Sequence, residues 1–285
     1  MLLFNGLLFM PLSAQMEFYP PGYGNISGTN TFQCPSNMGI RCKTEARLMN
    51  QNYAGGWEKI MNSLAMISYS LDDRSNMNHS TIGIMAASYK EGKYLQKNAI
   101  YAAYAWKSQI HRSLFFSGGI RIGGMNYLVH GTPSTGEGSD MAPDASAGVS
   151  IYNASFVTSV SINSVFRSEL QPIYETTVMN RFVTVYHEQI IKLNDWLTSN
   201  ASVMIQYPDY RKYSCQFSYE IIVKRKLILG TGYKSFNGIH FAAGLANFCY
   251  GKGCYSINLL YNRPLTRKDY SINRIEVMIV YRSKR

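Results

Sequence analysis

The segment Tyr213-Ser214-Cys215-Gln216-Phe217-Ser218-Tyr219-Glu220-Ile221 sets an aromatic, aliphatic or thiol side chain at every odd position and a hydroxyl, amide or carboxylate at every even one. Successive side chains of an extended strand point to opposite faces, so this period of two describes a strand with one apolar and one wet face. The rhythm returns near the end of the chain, where Ile275, Val277, Ile279 and Tyr281 alternate with Arg274, Glu276, Met278, Val280 and Arg282. In Tyr255 to Tyr261 it is broken only at Leu260. Elsewhere small residues fill the second face: Leu227, Leu229, Thr231 and Tyr233 alternate with Ile228, Gly230 and Gly232, and Phe241, Ala243 and Leu245 with Ala242, Gly244 and Ala246. Small residues on one face suit a crowded interior.

Carried outward from these segments, the alternation predicts strands over 43–53, 63–71, 80–88, 99–107, 113–125, 146–152, 154–163, 181–193, 201–207, 213–222, 226–234, 239–248, 254–261 and 273–282. An even number of strands returns both ends of the chain to one side, as single-chain bacterial membrane barrels require. The expected fold class is all-β, a transmembrane up-and-down antiparallel β-barrel of about 14 strands. Bacterial barrels have short periplasmic turns and longer surface loops. With the first connection outside, the long segments 126–145, 164–180 and 262–272 all fall on the extracellular side, and the shortest, around Asn153 and Lys224-Arg225, fall inside. A soluble β-sandwich has no reason to show that alternation.

Composition agrees. Charged residues make up 16% of the 285, below the roughly 25% of soluble domains, while aromatics reach 13% with 22 Tyr. A barrel in lipid accommodates that surplus in its apolar outer wall and aromatic girdles. The net charge of +11 is spread through turns and strand ends, with short clusters only at Lys224-Arg225-Lys226 and Arg282 to Arg285. That scatter argues against nucleic acid as a partner, which would need a concentrated basic face. Anionic outer-membrane lipid and lipopolysaccharide phosphates at the rims account for it more simply. No uninterrupted apolar stretch of the roughly 20 residues a spanning helix needs occurs downstream of the first residues.

Residues 1–14 are expected to be a signal peptide, with Ser13 and Ala14 before Gln15 as the cleavage point, although no Lys or Arg precedes its apolar run. Residues 15–42 do not alternate, and Pro20-Pro21-Gly22-Tyr23-Gly24 and Pro35 punctuate them. They are expected to form an N-terminal periplasmic arm or a lumen plug, leaving 43–285 as the outer-membrane barrel. Five cysteines, Cys34, Cys42, Cys215, Cys249 and Cys254, are too few and too uneven for a disulfide framework. Cys249 and Cys254 flank Tyr250-Gly251-Lys252-Gly253 and either face each other across a hairpin, where an oxidising compartment would join them, or are ordinary small wall residues.

Several short pieces resemble the PorP/SprF family of outer-membrane proteins. Cys34-Pro35-Ser36-Asn37-Met38-Gly39 stands where that family has Asn-Pro-Ala-x-x-Gly, and Arg47 and Asn50-Gln51 are similar to the Arg and Asn-Gln of its first strand. Ser68-Tyr69-Ser70-Leu71-Asp72 resembles its second strand, Ala147-Gly148-Val149-Ser150-Ile151-Tyr152 its mid-barrel hairpin, and Tyr233 through Ile275-Glu276-Val277 its closing strands. The chain departs from the pattern at Cys34, at Asn52 where Trp usually follows, and at a final Ser283-Lys284-Arg285. The resemblance implies a non-catalytic accessory role in the type IX secretion system of Bacteroidetes, supporting export or surface anchoring of adhesins such as those of gliding motility. It also implies other secretion components and a secreted surface adhesin as partners. The alternative function for such a barrel is an outer-membrane channel for small or apolar solutes.

Catalytic, cofactor and metal-binding residues are assigned to none. His187-Glu188 lacks a second His to complete a zinc helix, and His79, His111, His130 and His240 are isolated. Gly148-Val149-Ser150 is followed by Ile151-Tyr152 and so makes no nucleophile elbow. Gly119-Ile120-Arg121-Ile122-Gly123-Gly124 lies within a strand rhythm and is expected in the wall rather than around a phosphate. Glu137, Asp140 and Asp144 match no calcium loop. The Asn-x-Ser triplets at Asn25, Asn78, Asn153 and Asn200 carry no weight in a bacterial barrel.

Overall fold

A computed structural model describes residues 32–40, 42–54, 60–71, 78–131, 136–172, 177–208, 214–234, 238–250, 253–263 and 273–283. The expected signal peptide, the first part of the arm and Asn25 lie outside the described residues, as do Asp72 and most of the segment after Arg263. The strands are β1 (Thr44–Ala54), β2 (Ile60–Leu71), β3 (Asn78–Glu91), β4 (Leu95–His111), β5 (Leu114–Val129), β6 (Gly138–Tyr152), β7 (Phe156–Asn163), β8 (Glu169–Leu170), β9 (Thr177–Val178), β10 (Phe182–Lys192), β11 (Leu197–Pro208), β12 (Ser214–Val223), β13 (Leu227–Lys234), β14 (Gly238–Tyr250), β15 (Gly253–Arg263) and β16 (Asn273–Ser283). All except β8 and β9 form one closed antiparallel barrel in which each strand pairs with its neighbours in sequence. The barrel closes where β1 pairs with β16, with Glu45 opposite Arg282 and Asn50 opposite Val277. Each of the fourteen expected strands has its counterpart.

Burial is inverted relative to a soluble protein. On β5 the odd positions Ser117 and Arg121 are buried, while Ile120 and Ile122 between and beyond them are 48% and 55% exposed. On β16 Glu276 is fully buried, while Ile275, Val277 and Ile279 face outward. Polar side chains inside and branched aliphatics outside describe a wall whose solvent is hydrocarbon. Tyr69, Tyr104, Trp106 and Tyr255 edge that apolar band toward one rim, and Tyr207, Tyr233 and Tyr261 toward the other. Methionines and small residues complete the inside: Met49, Leu64, Met66, Met85, Ala87, Ala99 and Met125 form one buried apolar cluster.

β1 begins and β16 ends at one rim, which also carries the short turns 112–113, 153–155, 193–196 and 224–226. At Asn153 the side-chain Oδ1 accepts the N–H groups of Ser155 (2.7 Å) and Phe156 (2.8 Å), which makes this Asn a turn former. Lys224 and Arg225 take the left-handed conformation, φ 49° and 57°, that a tight hairpin demands. By the loop rule this rim is periplasmic. Cys249 and Cys254, register partners at the same rim, form a disulfide.

One loop boundary needs correction. The segment 126–145 is not one loop: Asn126 to Val129 continue β5, and Gly138 to Ala145 open β6, with Pro143 opposite Gly124. Polar, turn-forming residues in this stretch concealed a wall that continues above the apolar band, where no hydrophobic face is required. The segment 164–180 remains a connection, as expected, and contains the small β8–β9 pair, with Glu169 opposite Val178.

Candidate functional site in the lumen

The non-alternating residues before β1 line no wall. Pro35–Asn37 form a 3₁₀ turn with all three residues buried, packed against β4, β5, β6 and β7 on the side of their inward residues. Pro35 starts the turn, where its fixed φ suits the first position and its missing N–H costs nothing. The Asn37 and Met38 N–H groups then donate to the Cys34 (3.0 Å) and Pro35 (3.2 Å) carbonyls. Gly39 follows at φ +64°, and a Cβ there would meet Ser70 Oγ, Thr81 Oγ1 and Lys107 Nζ within 2.9 Å. Glycine meets both demands without a shift of its neighbours.

The wall answers this segment with a ladder of hydroxyls. Ser161 Oγ donates to the Gln33 carbonyl (2.9 Å) and Ser117 Oγ to the Ser36 carbonyl (2.7 Å). Ser36 and Ser150 share a hydrogen bond between their hydroxyls, Ser150 Oγ donates to Asn37 Oδ1 (2.6 Å), and Asn37 Nδ2 donates to Ser159 Oγ (3.1 Å). Gly119 lets the two backbones touch: a Cβ there would stand 2.5 Å from the Ser36 nitrogen. Buried polar groups need such partners, because each one left unsatisfied costs about 1–3 kcal/mol.

A charged side chain holds the start of the segment. The Arg121 guanidinium donates to the Phe32 carbonyl, to Ser146 Oγ (2.7 Å) and to Asn163 Oδ1 (3.3 Å), and lies 4.7 Å over the Tyr101 ring. Tyr101 in turn donates to Asp144 Oδ2 (2.8 Å). Near the periplasmic rim, Glu45 Oε1 receives Arg47 at 2.7 Å and Arg282 Nε at 3.1 Å, which ties the first strand to the last. Burial, and then the Glu45 charge, push the neighbouring Cys42 thiol up to about 11. Across the lumen, Asn200 Nδ2 lies 3.0 Å from Glu188 Oε1 and 3.4 Å from Glu220 Oε2.

The opposite rim carries the 164–181 connection, which folds back onto the barrel. Ser168 Oγ donates to the Pro143 carbonyl (2.6 Å) and the Gln171 N–H to Asp140 Oδ2 (2.6 Å). Leu170 and Met179, 2% and 5% exposed, join the apolar cluster that contains Met125, Tyr127 and Ala142. This connection braces on β6, whereas the N-terminal segment lies along the inner faces of β4 to β7.

The residues considered from sequence for other chemistry are dispersed. His187 stands on the outer side, 2.8 Å from Thr158 Oγ1, while His240 faces the lumen beside Ser218 Oγ (3.2 Å). His79 and His111 lie near the periplasmic rim and His130 at the other. Asp140 binds loop backbone, Asp144 binds Tyr101, and among the described residues no three His, Cys, Asp or Glu side chains converge. Of the residues that carried the family resemblance, Cys34 to Gly39, Arg47, Gln51 and Ser70 all face the lumen, whereas Asn50 pairs with Ser63 (2.9 Å) on the outer side. Sequence reasoning missed the hydroxyl ladder. Its only trace is the recurrence of Ser, Gly and Arg or Asn at every second position in Ser117-x-Gly119-x-Arg121 and Ser159-x-Ser161-x-Asn163.

The fold recurs in solved outer-membrane proteins. The monoaromatic hydrocarbon channel CymD aligns with TM-score 0.58 at 8% identity, covering 91% of this chain and 94% of its own. The Pseudomonas putida toluene transporter TodX gives 0.56 at 8%, covering 89% and 93%. A Pseudomonas aeruginosa FadL homologue gives 0.52 at 10%, covering 89% and 93%. At these identities the likeness is one of fold alone. No curated protein matches the chain in sequence. Residues 21–281 match the family model described as type IX secretion system membrane protein PorP/SprF. With a lipid-facing wall, a folded barrel and that match over nearly its whole length, the chain belongs to the PorP/SprF family of type IX secretion system membrane proteins and resides in the outer membrane.

Proposed function

We propose that this protein is a non-catalytic accessory of type IX secretion that supports export of adhesins or holds them at the cell surface. Family membership supplies the secretion context. The observation that carries the adhesin role is the asymmetry of the two rims: short turns and both strand termini on one, and on the other the long 164–181 connection braced on β6. Such a rim offers a shaped, fixed surface to an exported partner, while the short-turn rim meets the remaining secretion components. Lipid and lipopolysaccharide surround the apolar band and meet the basic residues at its edges.

The test is excision of residues 169–178, which removes the β8–β9 hairpin and leaves the barrel strands intact. The expected result is a barrel still present in the outer membrane at native level, with the adhesin lost from the surface. Undiminished surface adhesin beside the excised barrel would refute the role.

A second function, passage of small or apolar solutes, draws support from the fold shared with hydrocarbon channels and from the methionine-rich cluster inside. The segment lodged against the inner faces of β4 to β7 weighs against it. Bulk conductance of the purified native chain in planar bilayers would favour it over the accessory role.

A further inference from the structure

We propose that the lumen contains a peptide-binding socket, and that residues 32–40 occupy it as a ligand carried on the same chain, able to leave and to be replaced by that sequence offered as a separate peptide. The socket is distinct from the rim assigned to an adhesin, so either role can fail without the other.

Three observations carry it. First, the segment adds no strand: every barrel strand already pairs with a neighbour on both sides, so removing the segment breaks no ladder. Second, the wall grips mainly main chain. Ser161, Ser117 and Arg121 donate to the carbonyls of Gln33, Ser36 and Phe32, and Gly119 admits the backbone itself. Recognition through main-chain groups, with pockets for a few side chains, is how proteins bind peptides. Third, selectivity is confined to small steps. Ser36 is fully buried against Ser150, Asn37 is read through both ends of its amide by Ser150 and Ser159, and Gly39 needs both its conformation and its missing side chain. The ligand class is therefore a short peptide with Pro, a small hydroxyl residue, Asn and Gly in the spacing of Pro35, Ser36, Asn37 and Gly39.

Apart from the Arg121 contact these are neutral hydrogen bonds, each adding little net stability against water, so the segment is held by a sum of weak contacts, as a reversible ligand is. The native thiols report its departure, because Cys34 in the seated segment and Cys42 just beyond it are 1% and 3% exposed.

The experiment uses the full chain in lipid vesicles. Maleimide labelling of Cys34 and Cys42 is followed across a urea series, with the gel shift of the folded barrel read in parallel. Both thiols should react at urea concentrations where the barrel still migrates as folded. A Ser36→Trp variant, whose indole has no room beside Ser150, should label at Cys34 at least about tenfold faster than the native chain. It should also bind, saturably, a fluorescent peptide of residues 32–42 carrying Cys34→Ser and Cys42→Ser, whereas the same peptide with Ser36→Trp should not bind. Thiols that become reactive only as the barrel unfolds would overturn the socket, as would an opened variant that ignores the native peptide. A Ser36→Trp chain unable to fold would count the same way, since it would make the segment part of the wall's own stability, and the urea series on the native chain decides independently of that variant.

Discussion

Moving a single charge by one residue on β5 tests the inverted wall directly. Arg121 is 2% exposed and points inward to Ser146 and Asn163, whereas Ile122 points outward, 55% exposed, in the middle of a 16-residue strand. Its outward neighbours Ile100 on β4 and Ile120 on β5 are aliphatic too, so Ile122 lies well within the apolar band. An arginine on the lipid face near the bilayer midplane costs about 2–4 kcal/mol, falling to about 0–1 near the interfaces. Ile122→Arg should therefore lower the folding equilibrium in vesicles by roughly 30- to 1,000-fold at about 1.4 kcal/mol per decade. Reversible urea unfolding in vesicles, read by tryptophan fluorescence, measures it, with Leu128→Arg, near the end of β5 beyond the band, as the position-matched control. If water rather than hydrocarbon bathed this face, the same exposed substitution would be nearly neutral. An Ile122→Arg chain within about 0.5 kcal/mol of native would thus refute the membrane assignment of the face.

The closure seam and the turn disulfide supply two more tests. Glu45 lies between two guanidiniums at the β1–β16 junction, and removing one member of a buried charged set costs about 3–5 kcal/mol. Glu45→Ala should destabilise the barrel by that order in the same urea assay, and a loss below about 1 kcal/mol would show that the carboxylate is not what holds the two strands. Protein unfolded without reductant should take up three maleimides, at Cys34, Cys42 and Cys215, and five after reduction; five without reductant would exclude the Cys249–Cys254 bond.

How far the chain could be understood before folding differs from one element to the next. Around Cys249 and Cys254 the turn composition gave two outcomes, and register pairing of the two residues selected the bonded one. In 138–145 the sequence Gly-Ser-Asp-Met-Ala-Pro-Asp-Ala has the composition of a loop, yet it continues a strand because β5 beside it supplies the ladder. The hairpin in 164–181 escaped notice for a simpler reason: its two strands have only two residues each, too short for any period to register.

The wall was legible from the sequence itself, because alternation is a local property: each strand records in consecutive residues which side meets lipid and which the lumen. The even strand number and the division into short-turn and long-loop rims followed from the same record. The contents of the lumen were decided only by the tertiary structure. Ser36 meets Ser150 across 114 positions of chain and Gln33 meets Ser161 across 128, and a serine on the wet face of a strand has the same local pattern whether it faces water or a buried peptide. Only closure of the cylinder brings those faces around the segment, and so only the closed barrel reveals what the segment binds.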